Sequence, residues 1–386
     1  MIRCTLIGLF AGLLLGIQPA SAQSPVPDPP SVGASSYLLM DFDSGAVLAS
    51  RDPEERVEPA SITKIMTSYV VFQELADGNL SLDEEVLISE QAWRTQGSRS
   101  FVEVGARVSV EDLLRGVIIQ SGNDASVALA EHVAGSEAAF AGMMNQVAAS
   151  LGMEGTQYQN ATGLPMDDHY TTAADTAKLA RAMIEKYPDY YEWYSERDFT
   201  YGGIRQQNRN LLLWRDDSVD GLKTGHTSSA GYCLVTSALR DGMRLISVVM
   251  GSSSEQARAS ESQSLLNYGF RFFETFHLYE PGEELTTEKI WMGTTDELRL
   301  GVDEDLFVTI PRGRYDSLDA RVEIEPRLLA PVEAGQAIGQ VVVSLDDDDL
   351  DERDLVALES VEESGFFGRT ADRMRMWFGG LFGDSD

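Results

Sequence analysis

The chain changes rhythm twice, and those changes limit what it can fold into. Two short apolar runs, Tyr37-Leu38-Leu39-Met40 and Ala46-Val47-Leu48, read as strands joined by a turn at Asp43-Ser44-Gly45. Residues 82–165 then carry a mainly helical pattern, with Leu113, Leu114, Val117 and Ile118 on one face, and residues 172–194 are again helical. After Asp217 the pattern returns to strands at Val219 to Thr224, Tyr232 to Ala238 and Leu245 to Met250. Residues 260–276 read as one more helix. From about residue 278 only short strand-like runs remain, such as Leu306 to Ile310, Arg321 to Ile324 and Gln340 to Leu345, punctuated by Pro and Gly. The fold class is therefore α+β: a helical cluster on an antiparallel sheet, then a small all-β domain.

The two ends read differently from this body. Arg3, the apolar run Leu6 to Ile17 and the small residues Ala20-Ser21-Ala22 describe a secretory signal over residues 1–22, with the mature chain starting at Gln23. Residues 23–33 read as a proline-rich tether. The helical cluster and its sheet are expected to form one domain over residues 34–277 and the β-rich domain to span 278–360. In the tail, 361–386, Phe366, Phe367, Met374, Trp377, Phe378, Leu381 and Phe382 cluster at helical spacing with arginines between them. That pattern suits a helix lying in a membrane surface rather than crossing it.

A net charge of −32 excludes nucleic acid as a partner, because phosphate would be repelled. Loss of the signal removes Cys4 and leaves Cys233, so no internal disulfide forms. Cys233 sits in an apolar run and reads as a buried small hydrophobe. The acidic run Asp346 to Asp349 lacks the spacing of a calcium loop and reads as a solvated hairpin tip. The histidines are scattered, no Cys/His spacing suggests zinc, and no Gly-x-Ser-x-Gly elbow is present, so no cofactor is expected.

Three motifs carry the chemistry. Pro59-Ala60-Ser61-Ile62-Thr63-Lys64-Ile65-Met66 reads as a helix start, which places Ser61 and Lys64 on one face, a hydroxyl beside an amine. Gln120-Ser121-Gly122-Asn123-Asp124-Ala125 falls in a polar gap between helical stretches, and Lys223-Thr224-Gly225 ends a strand. Ser-x-x-Lys, a Ser-x-Asn element and Lys-Thr-Gly, in this order, are the parts of penicillin-binding proteins and related β-lactamases.

With these motifs the chain resembles the low-molecular-mass penicillin-binding proteins that act as D-alanyl-D-alanine carboxypeptidases. The resemblance extends to Gly203-Ile204-Arg205-Gln206, Asp220-Gly221-Leu222-Lys223-Thr224-Gly225-His226-Thr227 and Gly269-Phe270-Arg271-Phe272-Phe273-Glu274-Thr275. It implies a penicillin-binding-protein/β-lactamase-like transpeptidase domain, peptidoglycan stem peptides ending in D-Ala-D-Ala as substrates, and β-lactams as acylating ligands. It implies Ser61 as nucleophile, Lys64 as its base, Ser121 as a proton carrier, and Asn123 as a holder of Lys64 and substrate. Lys223, Thr224, Gly225, His226, Arg258 and Arg205 would bind substrate, with backbone N–H groups of Ser61 and His226 facing the oxyanion. Lys64 must be substantially neutral to act, and Lys223 is the expected source of the charge that depresses it. The implied location is the periplasmic face of a bacterial inner membrane, held through the tail. A β-lactamase with fast deacylation and a non-catalytic wall-binding protein are the rival readings; Asn160-Ala161-Thr162-Gly163-Leu164-Pro165 resembles the carboxypeptidases rather than the β-lactamases.

Overall fold

The computed structural model describes residues 26–366, 369–370 and 372–374. The chain opens with β1 (Ser36–Asp41), β2 (Val47–Arg51) and α1 (Thr63–Ala76). Next come β3 (Glu85–Leu87), α2 (Glu90–Arg94), β4 (Arg107–Ser109), α3 (Val110–Arg115), α4 (Asn123–Ala134), α5 (Glu137–Ser150), α6 (Ala173–Lys186) and α7 (Pro188–Tyr191). The hairpin β5 (Asp198–Tyr201) and β6 (Ile204–Gln207) leads to β7 (Val219–Thr227), β8 (Gly231–Arg240), β9 (Met243–Ser252) and α8 (Glu255–Phe272).

One antiparallel sheet, ordered β2-β1-β9-β8-β7, organises this unit. Successive side chains of a strand point to opposite faces, so each face has its own core. Leu38, Met40, Val235, Ile246 and Val248 pack with Ile65, Met66, Phe72 and Leu113 on the helical side. Leu39, Leu234, Leu245 and Val249 pack with Leu265 and Leu266 of α8 on the other. β7 is left at the edge of the sheet, beside the start of α1.

Three expectations change. Within 82–165, β3 pairs with β4 as a short hairpin, so that stretch is not helical throughout. The helix expected through residue 276 ends at Phe272, because Phe273 enters β10 (Phe273–Tyr279) and pairs with Pro311. Tertiary pairing overrides the helical spacing of the phenylalanines there. Residues 26–33, read as a tether, pack along α8: Tyr268 donates to the Pro27 carbonyl at 3.0 Å, Glu261 accepts from the Gly33 N–H at 2.9 Å, and Val32 is buried.

The second unit continues with β11 (Glu284–Trp291), β12 (Glu297–Gly301), β13 (Leu306–Pro311), β14 (Leu318–Ile324), β15 (Leu328–Leu329), β16 (Ala337–Leu345) and β17 (Asp348–Ala357). Six of these form a sheet ordered β14-β16-β17-β12-β11-β15, while β10 pairs with β13. Asp346 lies in the turn between β16 and β17, and Asp349 opens toward Arg321 with contacts of 2.9 and 3.1 Å. A clasp joins the two units. Asp41 is fully buried; it accepts from Ser44 Oγ at 2.8 Å and from Thr275 Oγ1 at 2.7 Å, and Ser44 Oγ lies 2.6 Å from Thr309 Oγ1.

The secretory signal at 1–22 lies outside the described residues. Of the tail, residues 366, 369–370 and 372–374 have helical backbone, while Phe367, Trp377, Phe378, Leu381 and Phe382 of the expected apolar face lie outside the described residues. Among the described residues no helix is long and apolar enough to cross a membrane.

Candidate active site

The site is built on the first turn of α1. Ala60–Ile62 forms a short 3-10 turn that runs directly into the helix, and Ala60 has the left-handed φ of +48°. Ile62, Ile65, Met66, Tyr69 and Val70 are all buried, as their spacing predicts. Lys64 is fully buried as well, which a lysine tolerates only with close partners. Its Nζ lies 3.2 Å from Ser61 Oγ, 2.7 Å from Asn123 Oδ1 and 2.5 Å from the Thr162 carbonyl. A neutral amine has two N–H donors and one lone pair. Two of these partners can only accept, so both donors are taken and the lone pair is left for the hydroxyl of Ser61.

Burial, and after it the charge of Arg209, lowers the Lys64 pKa from its ordinary 10.5 to about 7. Asp124 and Glu137 act in the opposite sense. This corrects the expectation that Lys223 supplies the depressing charge. Lys223 is itself buried and driven well below the ordinary lysine value by desolvation, then by Lys64, Arg209 and Arg258.

Ser121 and Asn123 sit where a π-helical turn, Gly116–Gln120, meets α4. Ser121 is left-handed at φ +67°, and its buried Oγ has no hydrogen-bond partner among the described residues. The Asn123 amide is fixed on three sides: Oδ1 on Lys64, Nδ2 donating to the Gln96 carbonyl at 2.6 Å, and its backbone N–H donating to the Ser98 carbonyl at 2.7 Å.

A strap over residues 157–170 closes the site from below. Asn160 Oδ1 accepts from the N–H groups of Thr162 and Gly163 at 3.1 and 2.7 Å. Its side chain is thus spent on the strap's own backbone. His169 Nδ1 accepts from the Gln159 N–H at 2.9 Å, so Nε2 carries the proton toward Thr63 Oγ1, also at 2.9 Å. Burial lowers the His169 pKa to about 4, which keeps this tautomer neutral. Gly163 has φ +80°, and a Cβ there would lie 1.7 Å from the Ala60 carbonyl oxygen. The strap therefore touches the turn that carries Ser61.

β7 supplies the opposite wall. Lys223 and Thr224 are buried, and a Cβ on Gly225 would lie 3.1 Å from both the Pro59 carbonyl oxygen and Ile62 Cγ1, so glycine lets the strand approach the helix start. His226 is exposed and stacks on Tyr232 at 4.0 Å between ring centroids. Arg258 of α8 donates to the Gly225 carbonyl at 3.0 Å. Ser61, Ser121, Asn123, Thr224, Gly225, His226 and Arg258 line one cleft of about 390 Å³.

Arg205 is not part of this cleft. It projects from the β5–β6 hairpin, is 63% exposed, and forks onto Asp198 with contacts of 3.1 and 2.7 Å. Arg209, four residues on, lines the cleft instead, and sequence reasoning missed it. Residue type alone did not mark it: Asn208 and Asn210 beside it are buried, and Asn210 Nδ2 donates to the Gly221 carbonyl at 3.0 Å, which fixes the backbone that presents Arg209. The Thr162 carbonyl was missed too, since a backbone oxygen leaves no mark in residue type. Cys233 is fully buried, with its thiol pKa raised, and takes no part in the cleft.

Two family models match the chain: "D-alanyl-D-alanine carboxypeptidase" over residues 22–254 and "Penicillin-binding protein 5, C-terminal domain" over 273–363. The D-alanyl-D-alanine carboxypeptidase DacC of Escherichia coli (strain K12) is 45% identical, with 97% of this chain and 98% of that protein aligned. The crystal structure of penicillin binding protein 5 from Haemophilus influenzae matches at a TM-score of 0.85 and 43% identity, covering 87% of this chain and 100% of that one. An ampicillin-bound structure of penicillin-binding protein D2 from Listeria monocytogenes matches 62% of this chain and 98% of its own at TM-score 0.58 and 30% identity.

Proposed function

This chain belongs to the D-alanyl-D-alanine carboxypeptidase family, and from that membership we propose a division of labour among the residues of its cleft. The protein is a D-alanyl-D-alanine carboxypeptidase. Its substrates are peptidoglycan stem peptides ending in D-Ala-D-Ala. Ser61 Oγ attacks the carbonyl of the penultimate D-alanine while neutral Lys64 takes the hydroxyl proton. The tetrahedral oxyanion faces the backbone N–H groups of Ser61 and His226. As the C–N bond breaks, the proton held on Lys64 passes by way of the Ser121 hydroxyl to the departing amine, so free D-alanine leaves, Lys64 is neutral again and Ser61 carries the acyl ester. Water then attacks the ester while Lys64 accepts its proton, and that proton returns to Ser61 Oγ as the acyl bond breaks and the shortened peptide is released. Thr224, Arg258 and Arg209 hold the terminal carboxylate, with Lys223 beneath them.

A single observation carries this reading: a fully buried amine whose two hydrogen-bond donors are occupied and whose third direction meets a serine hydroxyl. β-Lactams acylate the same serine, and their leaving amine stays tethered in the opened ring, which slows release. The ampicillin-bound relative supports that extension. Incubation with a peptide ending in D-Ala-D-Ala should release D-alanine, and fluorescent penicillin should label the chain stoichiometrically. Rapid penicillin turnover without a lasting adduct would favour a β-lactamase, and absence of both labelling and release would favour a wall-binding protein.

Arg209 and Arg205 separate site charge from surface charge. Arg209 lowers the Lys64 pKa, so Arg209→Ala should raise it and move the midpoint of acylation rate against pH upward from about 7. The exposed ion pair of Arg205 should be dispensable, with acylation unchanged in Arg205→Ala. The same midpoint in both variants would refute the assignment of Arg209.

Location follows from the ends of the chain. A leader over residues 1–22 directs export to the periplasm, and the tail over 361–386 holds the enzyme on the inner membrane surface as an amphipathic helix. Between them, residues to Phe272 form the catalytic unit and those from Phe273 the β unit. Deleting 364–386 should move the protein to the soluble fraction with D-alanine release in solution unchanged. Continued membrane association of that variant would refute the anchor.

A further inference from the structure

The strap that carries Thr162 has a support outside the reaction scheme above. Glu137, the first residue of α5, accepts from the Ala161 N–H through Oε1 at 3.1 Å. On its other edge Ala161 is held by α1, where Thr67 Oγ1 donates to its carbonyl at 2.8 Å. The next carbonyl along the chain is that of Thr162, 2.5 Å from Lys64 Nζ. The turn that aims this carbonyl is thus gripped between two helices, and one grip is a carboxylate close enough to act electrostatically on Lys64.

We propose that Glu137 is a positioning residue for Lys64: from α5 it pins the Ala161 amide, so aims the Thr162 carbonyl at the amine, and adds negative charge beside it. The proposal rests on the reading of Lys64 as the base. Glu137 does not line the cleft, so it has no contact with substrate.

The two contributions separate by substitution. Glu137→Gln keeps an oxygen acceptor for Ala161 and removes the charge; Glu137→Ala removes both. The charged groups acting on Lys64 are Arg209, and in the opposite sense Asp124 from α4 and Glu137 from α5; Lys223 of β7 feels the charge of Lys64, and Glu137 in turn feels Glu131 and Lys64. Removing one of two nearby carboxylates leaves less to retain the ammonium proton. The midpoint of acylation rate against pH should therefore fall by about 0.5 unit in both variants. In Glu137→Ala alone the high-pH plateau should also drop, by about tenfold, as the carbonyl loses its aim. The apparent affinity for the acylating ligand should stay at the wild-type value in both.

The test is the acylation time course of the full chain with fluorescent penicillin across the neutral pH range, alongside thermal unfolding. A downward midpoint in both variants, with the plateau retained in glutamine and lost in alanine, supports the proposal. A midpoint unmoved in Glu137→Gln overturns it, and so does a full plateau in Glu137→Ala. If the alanine variant folds poorly, the glutamine variant decides. A wild-type chain that is not labelled at all would instead sink the reading of Lys64, and this proposal with it.

Discussion

Replacing Ser61 by alanine should abolish both D-alanine release and penicillin labelling, with a loss of at least about 1,000-fold, because nucleophile and base act as a unit. Lys64→Ala should cost nearly as much, since serine alone is a poor nucleophile. Lys64 holds all three of its polar contacts inside the protein and is shut off from water, so the Lys64 variant has no solvent base ready in its place. The pH dependence gives the sign. The competent form is the neutral amine, and the lowered pKa of about 7 means that form is scarce below that pH and dominant above it. Acylation by the wild-type chain should therefore rise through about pH 7 to a plateau. Labelling of Ser61→Ala at the wild-type level, or a wild-type rate that is flat across this window, would contradict the assignment.

Gly163→Val should be the most damaging substitution outside the reacting residues. The position combines φ +80° with a Cβ that would fall 1.7 Å from the Ala60 carbonyl oxygen and 2.4 Å from its carbon. Neither obstacle is a flexible side-chain end; both are backbone of the turn that carries Ser61. The strap must lift, and with it the neighbouring Thr162 carbonyl. A loss of about 3–4 kcal/mol is expected from backbone strain and displaced packing, seen as a drop of about 10 °C in melting temperature. Acylation should slow by more than tenfold even in the folded fraction, because one of the acceptors of Lys64 has moved. A variant that melts and acylates like the wild type would show that the strap has room to give.

Much of this site was legible because its chemistry sits in side chains of distinctive type. Ser61 and Lys64 stand out by spacing on a helix, and Ser121, Asn123 and Lys223 by their place in short motifs. What escaped was held by backbone or by context. The Thr162 carbonyl is specified by Asn160 turning back on its own chain, a contact that no periodicity encodes. Arg205 and Arg209 look alike in sequence, and only the hairpin β5–β6, which gives Arg205 a carboxylate of its own, tells them apart. The sheet was visible as separate runs, whereas the insertion of β1 between β2 and β9 depends on contacts far apart in sequence. The proline-rich segment reads as a spacer by composition, yet Tyr268 and Glu261 of α8 provide the partners that lay it down.

The clasp at Asp41 has a mechanical consequence. It joins the tip of one sheet to the β10–β13 ribbon of the next unit through a carboxylate that water does not reach. Turning one unit against the other at this point would have to break the hydrogen bonds of that buried carboxylate and leave it unpaired, which costs more than parting two exposed surfaces.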